Sequence, residues 1–181
     1  AARVSGSGQL SVSVGGDSIA GTIVAETPAA VFAEPGQGTL AKGEIGAYYR
    51  SNGNAMGGNV SATFATESFS ITYAGATAES DNYQAGRDFK TSPVTGREGH
   101  SLPLDEVGST AYKSRNHELG IAFKGGAHLV EAKFGYQEIP YQLWPNQRMD
   151  MLDNSQHRLN LRYRGQFGWG ALEARAWREE V

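Results

Sequence analysis

The sequence has 181 residues and a mass of 19.3 kDa, with 24 Gly, 10% aromatic residues and a formal net charge of −3. That length suffices for one ordinary domain, and the absence of basic excess gives no basis for a nucleic-acid partner. With no Cys, disulfides and thiolate chemistry are excluded, and no run of 18 apolar residues offers a transmembrane helix. A barrel strand, by contrast, needs only about 9–11 residues with alternate ones apolar.

Residues 1–11 match no assignable pattern; Ser5-Gly6-Ser7-Gly8 reads as linker-like. No apolar leader core follows Ala1, so an exported protein would begin here at a mature or artificial boundary. Ile19 to Ala25, preceded by Gly15-Gly16-Asp17 and followed by Thr27-Pro28, reads as a short strand outside the main series.

Period-two alternation then dominates. Ile45, Ala47 and Tyr49 alternate with Glu44, Gly46 and Tyr48. Val60, Ala62 and Phe64 alternate with Ser61, Thr63 and Ala65, and Phe69, Ile71 and Tyr73 with Ser70, Thr72 and Ala74. Leu119, Ile121 and Phe123 are separated by Gly120 and Ala122, and Val130, Ala132, Phe134 and Tyr136 by Glu131, Lys133 and Gly135. Leu159, Leu161 and Tyr163 alternate with Arg158, Asn160, Arg162 and Arg164. Leu172, Ala174 and Ala176 alternate with Glu173, Arg175 and Trp177, the least regular of the set. These patterns predict seven strands at roughly 42–50, 56–65, 68–78, 113–124, 128–139, 157–164 and 169–180.

The connections differ in kind. Those near Glu67, Gly125-Gly126 and Gly165 to Gly168 are tight, as hairpin turns are. Stretches 79–112 and 140–156 are long and polar; on their side only Ser51 to Asn54 is short. Short turns at one end and long loops at the other are typical of outer-membrane barrels, and a structureless loop as long as 79–112 is unusual in a compact soluble domain. The predicted class is therefore all-β: an antiparallel up-and-down transmembrane β-barrel segment. An odd strand count does not close antiparallel, which makes this part of a larger barrel. The alternatives are a complete small outer-membrane barrel, with 9–25 as an eighth strand, and a secreted soluble β-sandwich that binds through its loops.

No enzyme signature is present: Gly6-x-Gly8 lacks a strand–turn–helix context, and neither Gly-x-Ser-x-Gly nor a zinc-protease motif occurs. Asn146 to Asn154 groups Arg148, Met149, Asp150, Met151 and Asp153 on a predicted loop, with His157 close behind. Thioether sulfur suits soft ions such as Cu(I), and carboxylate suits harder ones; adaptable packing is the other reading of the methionines. Tyr141 and Trp144 lie around Pro140 and Pro145 and serve either an interfacial belt or a ligand mouth. His100, His117 and His128 lie on separate segments and read as scattered surface residues. Glu131, Lys133, Arg158, Arg162, Arg164, Glu173 and Arg175 would face a lumen.

Val14-Gly15-Gly16-Asp17-Ser18-Ile19-Ala20-Gly21-Thr22-Ile23 resembles the end of the plug domain of TonB-dependent outer-membrane receptors, which often reads Gly-x-x-Ser/Ala-x-x-Gly-x-Ile. The resemblance implies a plug end over 1–26, with Gly15, Gly16 and Gly21 at its hinge, a linker over 27–42, and a partial barrel over 43–181. It implies a parent receptor in the bacterial outer membrane that takes up a metal ion, siderophore or other scarce nutrient. Its partners would be outer-membrane lipid, the nutrient or chelate, and the TonB complex through a plug N-terminus that this sequence lacks. No cofactor and no covalent chemistry are implied. Tyr141, Trp144, Arg148, Asp150 and Asp153 would contribute to the outer mouth. Because a related copper-importing subgroup uses Met and His, Met149, Met151 and His157 would be metal contacts.

Overall fold

The computed structural model describes residues 2–5, 22–25, 29–145 and 150–181. Two compact units divide after Ala30. In the first, β1 (Ala2–Ser5) pairs antiparallel with β2 (Thr22–Ala25), placing Val4 opposite Ile23. The short strand expected near Ile19 to Ala25 is thus present at 22–25. Its partner lies in the stretch that carried no readable pattern. Because β2 pairs with β1, residues 22–25 do not form an eighth strand of the larger sheet.

The second unit is a seven-stranded antiparallel meander in strict sequence order. Its strands are β3 (Thr39–Arg50), β4 (Ala55–Thr66), β5 (Phe69–Ser80), β6 (Tyr112–Gly125), β7 (His128–Gln142), β8 (Met151–Phe167) and β9 (Gly170–Glu180). All seven predicted strands occur. β3 begins inside the stretch expected to be linker, and β8 begins at Met151, within the stretch expected to be loop. Both extensions continue pairing already set by the neighbouring hairpin: Thr39 faces Thr66, and Met151 faces Gln142.

Residues 67–68, 126–127 and 168–169 form two-residue turns at one end of the sheet. Gly126 sits at φ 56°, the positive value that a two-residue hairpin turn demands and that a side chain resists. Residues 51–54, 81–111 and 143–150 join the strands at the other end. The 81–111 connection is not the structureless loop expected from its polarity. Asn82 Oδ1 accepts from the backbone N–H of Thr110 (2.9 Å) and Ala111 (3.1 Å), while its Nδ2 donates to Glu106 (2.7 Å). The hairpin tip joins in: Asn52 Nδ2 donates to the Gln84 carbonyl (2.8 Å), and Gln84 N–H donates back to Asn52 Oδ1 (2.7 Å). Asn amides carry a donor and an acceptor together, so a polar stretch can be tied down without a hydrophobic core.

Pairing register divides the strand side chains between two faces. Phe64, Ile71, Ile121, Ala132, Leu161 and Ala176 form one continuous cross-strand row. Ala65, Ser70, Ala122, Glu131, Arg162 and Arg175 form the row beside it on the opposite face. Within this unit the apolar face is not covered. Phe64, Val60, Phe123, Val130, Phe134 and Leu161 are all exposed, and the buried hydrophobic residues among those described are four alanines, Ala33, Ala55, Ala65 and Ala122. β3 and β9 run in the same direction and do not pair, so the sheet is open.

Candidate functional site

Each face carries its own chemistry. On the apolar face, the row above Phe134 reads Gly75, His117, Tyr136, His157 and Glu180 across β5 to β9. Tyr73 leans over the bare backbone of Gly75 and its hydroxyl meets His117 Nδ1 at 2.7 Å. His117 stacks on Tyr136 with ring centroids 6.3 Å apart, and Tyr136 packs on His157 at 4.8 Å. The same device recurs at the turn end. Tyr163 leans over Gly165, and its hydroxyl meets His128 Nδ1 at 2.8 Å. Phe167 packs edge-on to His128 at 5.3 Å and stacks on Trp169 at 5.1 Å, while Phe69 and Phe123 pair at 5.0 Å nearby.

Two aromatic–imidazole belts therefore bound the apolar face. From β4 to β8 the side chains between them include Phe64, Ile71, Leu119, Ile121, Ala132, Phe134, Leu159 and Leu161, and none is charged. Charge returns just beyond the loop-end belt as ion pairs, Lys113 with Glu79 at 2.7 Å and Arg115 with Glu138 at 2.9 Å.

His117 and His128, read from sequence as scattered, are organised by register, and His157, read as a metal contact, joins the loop-end belt. The signal was present as a repeated Tyr-x-Gly, at Tyr73-Ala74-Gly75 and Tyr163-Arg164-Gly165. Each Gly faces a His on a neighbouring strand: Gly75 on β5 faces His117 on β6, and Gly165 on β8 faces His128 on β7. His100 alone stays apart, bonded to Thr95 within the 81–111 loop.

The polar face bears the charges expected to face a lumen. Arg162 holds Glu173 through two bonds of 3.1 and 3.2 Å, and Arg175 joins the same carboxylate. Glu131 is buried, with Arg162 and Arg164 each 3.8 Å from its Oε2. Toward the loop end, Tyr48 lies over Gly57 and Arg50 sits 5.2 Å from its ring. Its hydrogen bond with Tyr112, followed by partial burial, holds the Tyr112 phenol above its ordinary value. Tyr48 is on β3 and Tyr112 on β6, so this contact reaches across the two strands between them.

The residues expected at the outer mouth are placed as follows. Tyr141 is half-buried on β7 opposite Leu152, and Trp144 is exposed just after the strand. The Trp144 N–H donates to Asp150 Oδ1 at 3.1 Å, so these two share the 143–150 connection. Asp153 lies on β8 at φ 54°, opposite the Pro140 position where the ladder is interrupted. Met151 and His157 are also on β8, not on a loop. Six residues of strand separate them by about 20 Å at roughly 3.3 Å per residue, too far to ligate one ion. Arg148 and Met149 lie outside the described residues, as do Gly15, Gly16 and Gly21. Among the described residues no group of three His, Asp or Glu side chains is arranged to hold a metal ion. Comparison with protein-family models, with curated proteins and with solved structures finds no match.

Proposed function

We propose that this sheet is a wall segment of an outer-membrane β-barrel, belonging to a receptor of the TonB-dependent kind that imports a scarce nutrient or metal chelate. The observation that carries the membrane reading is the exposed apolar face bounded by two aromatic belts. Water would penalise that face by about 25 cal/mol for each Å² left uncovered, whereas lipid would not. A soluble β-sandwich buries such a face against a second sheet, and within the seven-stranded unit itself no second layer lies on it.

Closure of these seven strands on themselves is disfavoured because β3 and β9 run the same way; an odd number of further antiparallel strands would complete the wall. In this reading the turns face the periplasm and the 51–54, 81–111 and 143–150 connections face outward. The segment before β3 fits that orientation. At the turn end the Ala33 N–H donates to the Thr66 carbonyl (3.0 Å), and the Gly36 N–H to Glu67 Oε1 (2.7 Å). A plug linker would reach the barrel from that side. The receptor assignment rests on the Gly15 to Ile23 resemblance. Transport would involve no covalent step, with energy supplied through TonB.

The test is partitioning. The folded chain should require detergent and run with altered mobility on unheated gels. A monodisperse chain in water without detergent would overturn the membrane reading. Uptake by a parent receptor that is lost on deleting the plug-end motif, with surface expression intact, would support the narrower assignment; unchanged uptake would sink it.

A further inference from the structure

We propose that the loop-end belt carries a lipid-phosphate site, an inference that rests on the membrane reading above. A groove of about 410 Å³ opens on the apolar face where β6 to β9 pass the belt. Its floor is Leu119, Phe134 and Leu159, one cross-strand row of apolar side chains. Its rim is His117, His157, Arg178 and Glu180, the last two ion-paired, so a phosphate would take the place of the Glu180 carboxylate on Arg178. The floor continues toward the turn end as Ile121, Ala132 and Leu161, so an acyl chain finds apolar surface along its length.

The rim supplies donors suited to a phosphate. With the Tyr73 hydroxyl donating to His117 Nδ1, the imidazole carries its proton on Nε2, which is then left as a donor for a ligand. Arg178 faces Leu159, and His157 faces Glu180, so Arg178 and His157 are diagonal neighbours within reach of long side chains. Arg178 keeps 74% of its side chain exposed even with Glu180 beside it. Guanidinium matches phosphate oxygens in a planar fork. A soluble anion gains nothing from the apolar floor, and a headless acyl chain gains nothing from the rim. The occupant that satisfies both is a lipid bearing a phosphate.

The experiment uses the full chain in detergent micelles and native mass spectrometry. The probes are dioleoyl phosphatidic acid, dioleoylglycerol with the same chains and no phosphate, and glycerol 3-phosphate with the head and no chains. Phosphatidic acid should be retained at least tenfold more than either control. The double variant Arg178→Gln with His157→Gln should reduce it to the dioleoylglycerol level, while Arg175→Gln on the opposite face should leave it unchanged. Equal retention of the two lipids, full binding by the double variant, or glycerol 3-phosphate binding as well as the lipid would each overturn the site. Flotation with phosphatidylcholine vesicles separates the two levels of inference. If wild type does not float, the membrane reading falls and the site with it. If wild type and double variant float alike but retain phosphatidic acid equally, only the lipid site falls.

Discussion

Leu161→Arg tests the membrane reading at its most sensitive point. On β7 the loop-end belt passes through Tyr136 and the turn-end belt through His128, with Ala132 midway and paired to Leu161. Eight residues at about 3.4 Å each give roughly 27 Å along the strand, or about 20 Å across a bilayer for a tilt near 40°. Leu161 then lies about 10 Å from either belt, near the middle of the apolar band. An arginine at that depth costs about 2–4 kcal/mol in an outer-membrane barrel, roughly 30- to 700-fold in the folding equilibrium. Were this face in water, the substitution would stay within about 0.5 kcal/mol, because Leu161 is already 44% exposed. The assay is urea titration of vesicle-reconstituted chain, followed by fluorescence of its three exposed tryptophans, Trp144, Trp169 and Trp177. Asn160→Arg, one residue away on the polar face, should cost about 0.5 kcal/mol or less. Ser155→Arg, beyond the loop-end belt, should cost about 0–1 kcal/mol. An L161R midpoint equal to wild type, or N160R as damaging as L161R, would refute the argument.

Other outcomes follow from particular contacts. Tyr163→Phe removes the hydroxyl bonded to His128 and should lower stability by about 0.5–1.5 kcal/mol in the same titration. Gly165→Ala should cost about 1–3 kcal/mol, because a Cβ there collides with the Tyr163 hydroxyl and comes within 2.9 Å of both His128 Nδ1 and the Phe167 ring. Tyr112 lies beyond the apolar band, and its folded-state pKa is raised. Its contribution to stability is therefore complete below the ordinary phenol value of about 10 and is lost as pH rises through the folded value. Tyr48→Phe should lower the tyrosinate absorbance midpoint of Tyr112; an unmoved midpoint would remove Tyr48 as the cause. Asn82→Ala deletes the amide that braces Thr110, Ala111 and Glu106, so limited proteolysis should cut within 81–111 first while the strands stay intact.

The meander was legible because its signal is local. Alternation such as Leu159-Asn160-Leu161-Arg162-Tyr163 states strand and face in one stretch, and the tight turns show where strands reverse. The β1–β2 pairing was not legible, since joining Ala2–Ser5 to Thr22–Ala25 depends on residues far apart that share no pattern. The start of β8 was hidden for another reason. Met151 to Gln156 lacks clean alternation, and pairing with Gln142 back to Gln137 extends the strand from outside. That extension is also why Met151 and His157, close in sequence, are far apart in space. In a loop six residues can fold back on themselves; in a strand they cannot. The belts needed register as well: Tyr-x-Gly is visible on one strand, but its His comes from a neighbouring one.

Alternation alone does not say which face meets lipid, since a soluble barrel with apolar side chains inside has the same period. The direction of curl separates the two cases. Ala65, Ser70, Ala122 and Glu131 are buried on the polar face, while Phe64, Phe123, Phe134 and Leu161 stand exposed on the other. Small side chains let a sheet close toward their own face, and bulky ones resist it. Tyr48 on β3 and Tyr112 on β6 interact on that same polar face with two strands between them, which fits its being the inner side. A soluble barrel would curl the other way and bring Phe64, Ile71, Ile121 and Leu161 together. The observed burial leaves those residues facing outward, the arrangement that the membrane proposal requires.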